Sequence, residues 1–529
     1  MFQILVRTKN YLLEQKIKLL FYYLISIFIS LISLLSPKIT GDFIDILVSG
    51  SKEKLFIYIK IFLLINALSL FFSFVTNKLY IYIQAKSAYK LNKEAILHVW
   101  DISLLRSQVY DSVYLADRIN NDSNQLIIYS LNIVVEIISI VMSAIFSSIF
   151  MIGIDKKIFF VGILAMLAYT LIYLSLKNKI YTIKYELTES KSAFSSNIYK
   201  QLDNIRSLKL HTGFQDAEDA LDKSFFNLFK KTIANFNFNF LFTSFDNIIG
   251  QAISVFMFIY GGIAVINKSM SIGEYTMLNS YLLILISLVQ RLFSLAKSTE
   301  ETKVSLDRID EILSIEKESN STLTIKSIDA ISLNIDFDYL YNDKKFSYQL
   351  TFKKGQVYKI LGENGSGKST LLDNMVGLYI DDYSGNIYYN GINIKEIDMK
   401  DTRKNLIAYL DQNLDIDNIN RTCKIGLKEA QTLIKSLSLD KLLEIDKGKI
   451  WLLTDLDKMS GGELRKTQIL GEIIKNPDLV ILDEPANNLD YLTIRNLKKI
   501  ISTIKKDMIV ILVDHNKYFD DIVDEYIYI

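Results

Sequence analysis

Proline is nearly missing from this chain of 529 residues, which has only Pro37, Pro477 and Pro485. Because proline breaks helix interiors, its scarcity leaves room for long uninterrupted helices. Cysteine is scarcer still, and Cys423 alone excludes an intrachain disulfide framework and a Cys-based zinc site. The chain also lacks an excess of one charge, with 60 Lys and Arg against 59 Asp and Glu, a net +1. No basic field of the kind that collects nucleic acid is present, and no nucleic-acid partner is expected. What the chain has in abundance is hydrophobic residues, 50% of the total. Together with long helices, that composition points to membrane spans, and the length suits two or three units with the soluble share at the C-terminal end.

The stretch Gly362 to Thr370 reads GENGSGKST and fits G-x-x-x-x-G-K-[ST], with Gly362, Gly367, Lys368 and Ser369 in the required places. It follows the apolar run Val357 to Leu361, read as a strand, and opens the helix-compatible run Ser369 to Val376. In that setting the backbone N–H groups of Asn364, Gly365, Ser366 and Gly367 turn inward around a phosphate, and the start of the helix at Ser369 and Thr370 adds a positive dipole. Lys368 reaches the β- and γ-phosphates, and the Ser369 hydroxyl can ligate Mg²⁺. The bland alternative is a glycine-rich turn with an exposed lysine. The strand before and the helix after weigh against it.

Upstream, Arg7, Lys9, Lys16 and Lys18 precede the uncharged run Leu19 to Leu35. That run is long for a signal-peptide core, no small-x-small cleavage site follows, and more apolar runs come after it, so it reads as a first span. Five further spans are expected at Ile61–Thr76, Ile133–Ile154, Ile158–Leu176, Ile248–Ile266 and Tyr275–Val289. With an even count, and lysine and arginine crowding the N-terminal tail, both termini and the nucleotide site are expected in the cytosol of a multi-pass cell-membrane protein. Asp155 to Lys157 and Asn267 to Glu274 are then short outside turns. The long segments Asn77 to about Asn132 and Lys177 to about Asn247 lie inside. Glu136 and Asp246 fall near the inner interface, either solvated or paired at a cavity mouth, or in contact with a cationic substrate. His98 and His211 read as surface or capping residues. Lys297 to Ser321 reads as a charged helix leaving the membrane, followed by a polar linker, with the domain boundary near residue 320.

From Thr322 short β-branched and aromatic runs alternate with helical ones, the pattern of an α/β domain around a phosphate loop. Tyr339 and Tyr341 lie upstream of that loop; either can stack on adenine, and either can equally be a cross-strand packing residue. The apolar strand Leu479 to Leu482 ends in Asp483 and Glu484. An acid at the end of a buried parallel strand can hold Mg²⁺, and the second acid can take a proton from an attacking water. Ser460 and Glu463 in MSGGE make a capping box before the helix Leu464 to Lys475. The exposed glycine pair Gly461 and Gly462 beside Ser460 also makes a second phosphate surface, one that a single domain need not close on its own nucleotide.

These motifs resemble those of a half-transporter of the ATP-binding cassette superfamily, of the exporter type in which six spans precede one ATPase domain. Gly362 to Ser369 matches Walker A, Gln412 in AYLDQ resembles the Q-loop, and MSGGE resembles the signature motif. LVILDEP matches Walker B, Asn488 to Asp490 resembles the D-loop, His515 in ILVDH the switch histidine, and Tyr339, in an F-x-Y context with Phe337, the adenine-stacking residue. In the membrane half, Asp117 to Asp122 (DRINND) and Ser305 to Leu313 (SLDRIDEIL) are similar to family segments after the first coupling helix and after the sixth span. The resemblance implies a membrane all-α six-helix transmembrane domain over residues 1–320 and an α/β P-loop ATPase domain over 321–529. It implies ATP and Mg²⁺ as cofactors, with Gln412 joining Ser369 and Asp483 at the metal, and Glu484, His515 and Lys368 as catalytic residues. ATP would lie between the Walker A face of one chain and Ser460, Gly461, Gly462 and Glu463 of a second, near Asp490.

The implied activity is ATP-driven export of a peptide or other amphipathic substrate by alternating access. A lipid or multidrug exporter is the alternative, and an ATP-gated channel is the competing class. The partner is a second half-transporter chain; a homodimer is simplest and a heterodimer stays open. Membrane lipid surrounds the helices. The sequence departs from the family pattern in Met459 and Glu463, in a short interval from Gln412 to Ser460, and in LLTDLDK at Leu452 to Lys458 where an acidic-glycine segment is usual. The few residues before Leu19 leave no room for a peptidase domain, so another protein is expected to remove any leader peptide.

Overall fold

Helices far longer than a soluble domain needs fill the first half of the chain. In the computed structural model, which describes all residues except 108–109, 339–344, 413–426, 441, 447–448 and 453–457, they are α1 (Phe2–Leu13), α2 (Lys16–Ser49), α3 (Lys52–Trp100), α4 (Leu104–Ser107), α5 (Ser112–Ile154), α6 (Lys156–Asp203), α7 (Ile205–His211), α8 (Phe214–Ile266) and α9 (Ile272–Ser314). Each expected apolar run falls inside one of α2, α3, α5, α6, α8 and α9. Among the described residues, all of these but α6 meet the length and apolarity needed to cross a bilayer. The 49 residues of α3 extend about 74 Å at 1.5 Å per residue, more than twice the roughly 30 Å hydrocarbon core. The excess continues beyond the membrane.

Helix ends leave backbone groups unpaired, and side chains satisfy them here. Asp155 caps α6 by accepting from Lys157 N at 2.7 Å and receives the Tyr260 hydroxyl of α8 at 2.9 Å. Ser271 and Glu274 form a capping box at the start of α9. Asp45 of α2 clamps the same end by accepting from Ser271 Oγ and Gly273 N, both at 2.8 Å. The opening stretch, expected to be a charged tail, is instead the helix α1. Its Ile4, Tyr11 and Leu12 are buried, and Thr8 donates to Ser130 of α5 at 2.7 Å. The spacing of those buried residues covers one helix face, which Arg7 and Lys9 obscured in the sequence. His98 caps a helix end, its Nε2 lying 3.0 Å from the Ile315 carbonyl oxygen after α9.

Beyond the expected spans, α5, α6 and α9 meet around Arg308, 2% exposed. Its Nε lies 3.1 Å from Asp122 Oδ2 of α5 and 3.5 Å from Glu189 Oε1 of α6. Ser305 donates to Asp122 Oδ1 at 2.9 Å, and Ser192 accepts from Arg308 Nη2 at 3.2 Å. Burial pushes Asp122 up to about 6, against the opposing pull of Arg308 and the Ser305 hydroxyl.

The chain divides into two units, Met1–Trp100 with Tyr110–Ile315, and Asp101–Val109 with Glu316–Ile529. The short segment between α3 and α5 therefore belongs to the second unit. Leu105 of α4 sits in that unit's core, and Asp101 accepts from Lys400 at 2.5 Å and Lys317 at 2.9 Å. The polar stretch read as a linker is held in the same way: Glu318 N donates to Asp101 O at 2.7 Å, and Arg403 pairs with the Glu318 carboxylate at 2.6 Å.

The second unit contains β1 (Ala330–Asp338), β2 (Lys345–Lys353), β3 (Val357–Leu361), α10 (Lys368–Met375), β4 (Tyr383–Tyr389), β5 (Ile392–Asn393), α11 (Met399–Asn405), β6 (Ile407–Leu410), α12 (Leu427–Ser436), β7 (Leu443–Asp446), β8 (Lys449–Leu452), α13 (Gly461–Ile473), β9 (Leu479–Asp483), α14 (Tyr491–Ile504), β10 (Ile509–Val513) and β11 (Glu525–Tyr528). One sheet is antiparallel in the order β2-β1-β4-β5, and β7-β8 is a hairpin. The other is parallel, in the order β11-β3-β10-β9-β6. Its central strands β9 and β10 are buried along their whole length because both faces are covered. Tyr358, Ile360, Ile481 and Ile511 pack into one cluster, and their neighbours Val357, Val480, Leu482, Val510 and Leu512 into another.

Replacing Arg308 by Met strands Asp122 in a buried site without its charge partner, at a cost of about 3 kcal/mol. Thermal unfolding of the purified chain in detergent should show a clear fall in Tm, partly recovered when Asp122→Asn is added; an unchanged Tm would show that the pair contributes nothing.

Candidate functional site

The loop between β3 and α10 takes its shape from aromatic residues of β2. Alternation along β2 puts Phe346 and Tyr348 on one face, their rings stacked with centroids 6.2 Å apart. Tyr348 Oη donates to the Gly367 carbonyl at 2.8 Å. Gly367 has φ +98°, and a Cβ there would lie 2.3 Å from Tyr348 Oη and 2.7 Å from the Phe346 ring, so only glycine fits. Lys368 arches over the loop, its ammonium donating to the Gly362 and Glu363 carbonyls at 2.8 and 2.9 Å.

Parallel register brings the remaining groups to this loop. Ile360 of β3 is level with Val513 of β10, and Val513 with Asp483 of β9, so all three strands deliver their carboxyl ends to one place, where ligands bind in open α/β sheets. Asp483 is 6% exposed; burial, then the Glu484 and Asp411 carboxylates, push it up to about 6, against Arg465 and Lys368. Glu484 sits at φ +46°, a strained conformation for a non-glycine residue, with its N–H donating to Val513 O at 2.7 Å. Its Oε2 accepts from Gln412 Nε2 at 3.0 Å and Asn487 Nδ2 at 2.5 Å. His515 Nε2 lies 3.9 Å from Oε1 of the same carboxylate.

A cavity of about 400 Å³ gathers Asn364, Gly365, Gly367, Lys368, Ser369 and Thr370 with Gln412, Asp483, Glu484 and His515. Gly362 and Ser366 belong to the loop without lining that cavity. Ser460, Gly461, Gly462, Glu463 and Asp490 also stand outside it. Ser460 caps α13: its N–H and hydroxyl both donate to Glu463 Oε2, at 2.8 and 2.7 Å, which keeps the Glu463 acid below its ordinary value. Asp490 caps α14 and is held at about 2 by the Thr493 N–H and by Lys466. Gly462 approaches the neighbouring turn closely, because a Cβ there would lie 2.7 Å from the Asn488 carbonyl oxygen. Tyr339 and Tyr341 lie outside the described residues, as does most of Leu452 to Lys458.

The arrangement sets backbone N–H groups and a lysine on one wall of the cavity, a chemistry suited to polyphosphate, with a buried acid on one side and an acid, amide and imidazole cluster on the other. The donor set fits Mg²⁺. Asp483 is a carboxylate kept dry among like charges, and a divalent cation there is favoured. Among the described residues no group of three His, Cys, Asp or Glu side chains is placed to hold a metal alone, in keeping with Mg²⁺ sites built from one or two carboxylates plus phosphate oxygens.

Residues that motif reading passed over complete the site. Arg465 of α13, 1% exposed, donates to the carbonyls of Asp411 at 2.5 Å, Asp483 at 2.6 Å and Glu484 at 3.0 Å. Its only sequence signal was a charge two positions after Glu463 in a helix that had to bury that face. Phe346 lines the cavity and was visible only as one member of an alternating strand. In the first unit, Glu136 of α5 accepts from Arg291 of α9 through Nε at 3.0 Å and Nη2 at 2.6 Å. The pair borders a cavity of about 360 Å³ that also exposes Gln125, Tyr129, Asn132, Ser294 and Ser298. Arg291 lies just past the last expected span, so Glu136 had no evident partner in the sequence. The Asp246 side chain lies outside the described residues.

Residues 19–289 match the family described as ABC transporter transmembrane region, and residues 346–487 the one described as ABC transporter. The chain is 23% identical over 406 residues to the transport/processing ATP-binding protein ComA of Streptococcus pneumoniae strain R6, covering 74% of this chain and 56% of that protein. It thus spans little more than half the length of that relative. It is 24% identical over 546 residues to the microcin-J25 export ATP-binding/permease protein McjD of Escherichia coli, covering 95% of this chain and 90% of the relative. Among solved structures, a bacterial Atm1-family ABC exporter with ATP bound superposes with a TM-score of 0.80 at 16% identity, over 95% of this chain and 91% of that one.

Substituting Gly367→Ala forces a Cβ into Tyr348 and Phe346 and should weaken ATP binding by tenfold or more, about 1.4 kcal/mol. Equilibrium binding of a fluorescent ATP analogue reads this directly, and an unchanged Kd would show that the loop does not cradle the nucleotide.

Proposed function

Since the chain belongs to the ABC transporters, joining their transmembrane region to their ATPase domain in one multi-pass membrane polypeptide, we propose that it is one half of an ATP-driven exporter whose cargo is a peptide. Two chains meet so that ATP lies between the phosphate loop of one and Ser460 to Gly462 of the other. Both termini and the ATPase domain face the cytosol. The observation that carries this reading is the single cavity at the carboxyl ends of β3, β9 and β10. It presents Lys368, Asp483, Glu484 and His515 together.

In this mechanism Lys368 and the loop N–H groups bind the phosphates and hold them in line. Glu484, fixed by Gln412 and Asn487, accepts the proton of a water that attacks the γ-phosphorus, as the bond to the departing ADP oxygen breaks. His515 faces the same carboxylate and orients that water against the γ-phosphate. Mg²⁺, held by Ser369, Gln412 and Asp483, would supply charge neutralisation on the phosphate oxygens. ATP binding closes the dimer and hydrolysis releases it. The segment between α3 and α5, built into the ATPase unit, and the α9 connection give the membrane helices two attachments through which to follow.

Two observations support a peptide as cargo. ComA and McjD are named for transport and processing, and for microcin export. The cavity beside Glu136 and Arg291 offers amides, hydroxyls and one charge of each sign, groups that match a peptide backbone and its ionised ends better than a lipid tail. The chain should be reconstituted in proteoliposomes and offered peptides, fluorescent lipids and lipophilic dyes. ATP-dependent accumulation of peptide alone is expected. Accumulation of only lipid or dye would make it a flippase or multidrug exporter, and ATP-dependent conductance without accumulation a channel.

The substitution Glu484→Gln keeps the planar shape of the carboxylate and removes the base. Turnover should fall about 10² to 10⁴-fold while ATP binding persists and the dimer stays closed, as followed by phosphate release and size-exclusion chromatography with ATP. Near-normal hydrolysis would remove Glu484 from the role.

A further inference from the structure

Strand β3 of the parallel sheet carries a charge where its own pattern calls for an apolar residue. On β3, Val357 packs with Val510 and Leu512 on one face, while Tyr358 and Ile360 pack on the other. Lys359 shares the parity of Val357, is level with Leu512 of β10, and is 2% exposed. Its ammonium donates to the Asn516 carbonyl at 2.7 Å and to Asp520 Oδ1 at 2.6 Å. Both acceptors lie in the turn after β10. Asn516 directly follows His515, and its N–H donates at 2.7 Å to Oδ1 of Asp514, which directly precedes His515.

Burying an ammonium costs several kcal/mol in desolvation, and an apolar side chain of similar size in the same place is often neutral or stabilising. Packing energy alone therefore gives no reason for lysine here. What the lysine supplies is a fixed position for the backbone on the far side of His515. The imidazole needs that fixing. Its side chain is 50% exposed and, among the described residues, makes no hydrogen bond of its own; it only stands 3.9 Å from Glu484 Oε1. Its location is inherited from the turn, and the turn is held by a side chain from the strand that leads into the phosphate loop.

We propose that Lys359 is a positioning residue for ATP hydrolysis, pinning the turn that carries His515 so that the imidazole stays beside Glu484 and the γ-phosphate. The inference rests on the reading of this site as an ATPase. Lys359 ties the loops after β3 and β10 together, so displacement of one is felt by the other. It touches no reacting atom; its effect runs through His515.

The test uses the full chain in detergent or nanodiscs with Mg²⁺ and ATP. Lys359→Met keeps length and apolar volume while removing the charge. It should lower kcat about 10 to 100-fold, the size of a lost positioning contact, with KM for ATP changed by less than about twofold. Lys359→Arg should recover part of the rate. The Lys359→Met and His515→Ala changes should not add, the double variant being no slower than His515→Ala alone, as expected of residues acting through one group. If Lys359→Met does not fold, Asp520→Asn removes the negative charge that faces the ammonium and should give a smaller fall in kcat with the same unchanged KM. Wild-type kcat in a folded Lys359→Met or Asp520→Asn, or a full multiplicative loss in the double variant, overturns the inference. A wild-type chain that binds ATP and does not hydrolyse it would overturn the functional reading beneath it.

Discussion

Three neighbouring parallel strands, β3, β10 and β9, end level with one another, and the cavity of the second unit is built on those ends. Parallel pairing fixes Ile360 beside Val513 and Val513 beside Asp483, which sets the loop before α10, the turn after β10 and the acids after β9 around one space. Because both faces of the sheet are buried, the strands cannot slip by a residue without moving a row of isoleucines and valines from one core to the other. The core thereby sets the precision of the site.

Around that frame the site is held mainly through backbone. Arg465 grips three carbonyls at the ends of β6 and β9, Lys359 grips the turn after β10, and Tyr348 grips the carbonyl of Gly367. Glu484 is kept at positive φ by the Val513 carbonyl beneath it. Such strain survives only where the surroundings over-determine it. Two buried cations beside Asp483 and Asp514 also offset the repulsion among the carboxylates crowded there.

The membrane half obeys a different constraint. Within hydrocarbon every backbone group has to be satisfied inside its own helix, so the helices run unbroken and their ends are capped by Asp45, Asp155 and Ser271. Lateral specificity comes instead from a few polar contacts, Arg308 with Asp122 and Glu189, and Glu136 with Arg291. The first joins α5, α6 and α9 beyond the expected spans. The second gives Glu136 a cationic partner beside a polar cavity.

Local order in the sequence was enough for the six apolar runs, the strand before the phosphate loop, the helix after Ser460 and the acids after Leu482. Each of these depends on a periodic or contiguous pattern within a short window. The same window hid α1, whose buried face is interrupted by Arg7 and Lys9, and it made the tied segment after α9 look like a free linker because its partners, Asp101 and Arg403, are far away along the chain. It left Arg291 unconnected to Glu136, Arg465 indistinct among helix charges, and Phe346 indistinct among strand aromatics. The sequence by itself determined which groups form the glycine-rich loop between a strand and a helix and which helices are apolar enough to cross a membrane, since backbone conformation and hydropathy are local properties. Only the tertiary structure decided which side chains hold those groups in place, because Lys359 and His515, Arg465 and Asp411, and Arg308 and Asp122 meet only when distant strands and helices pack.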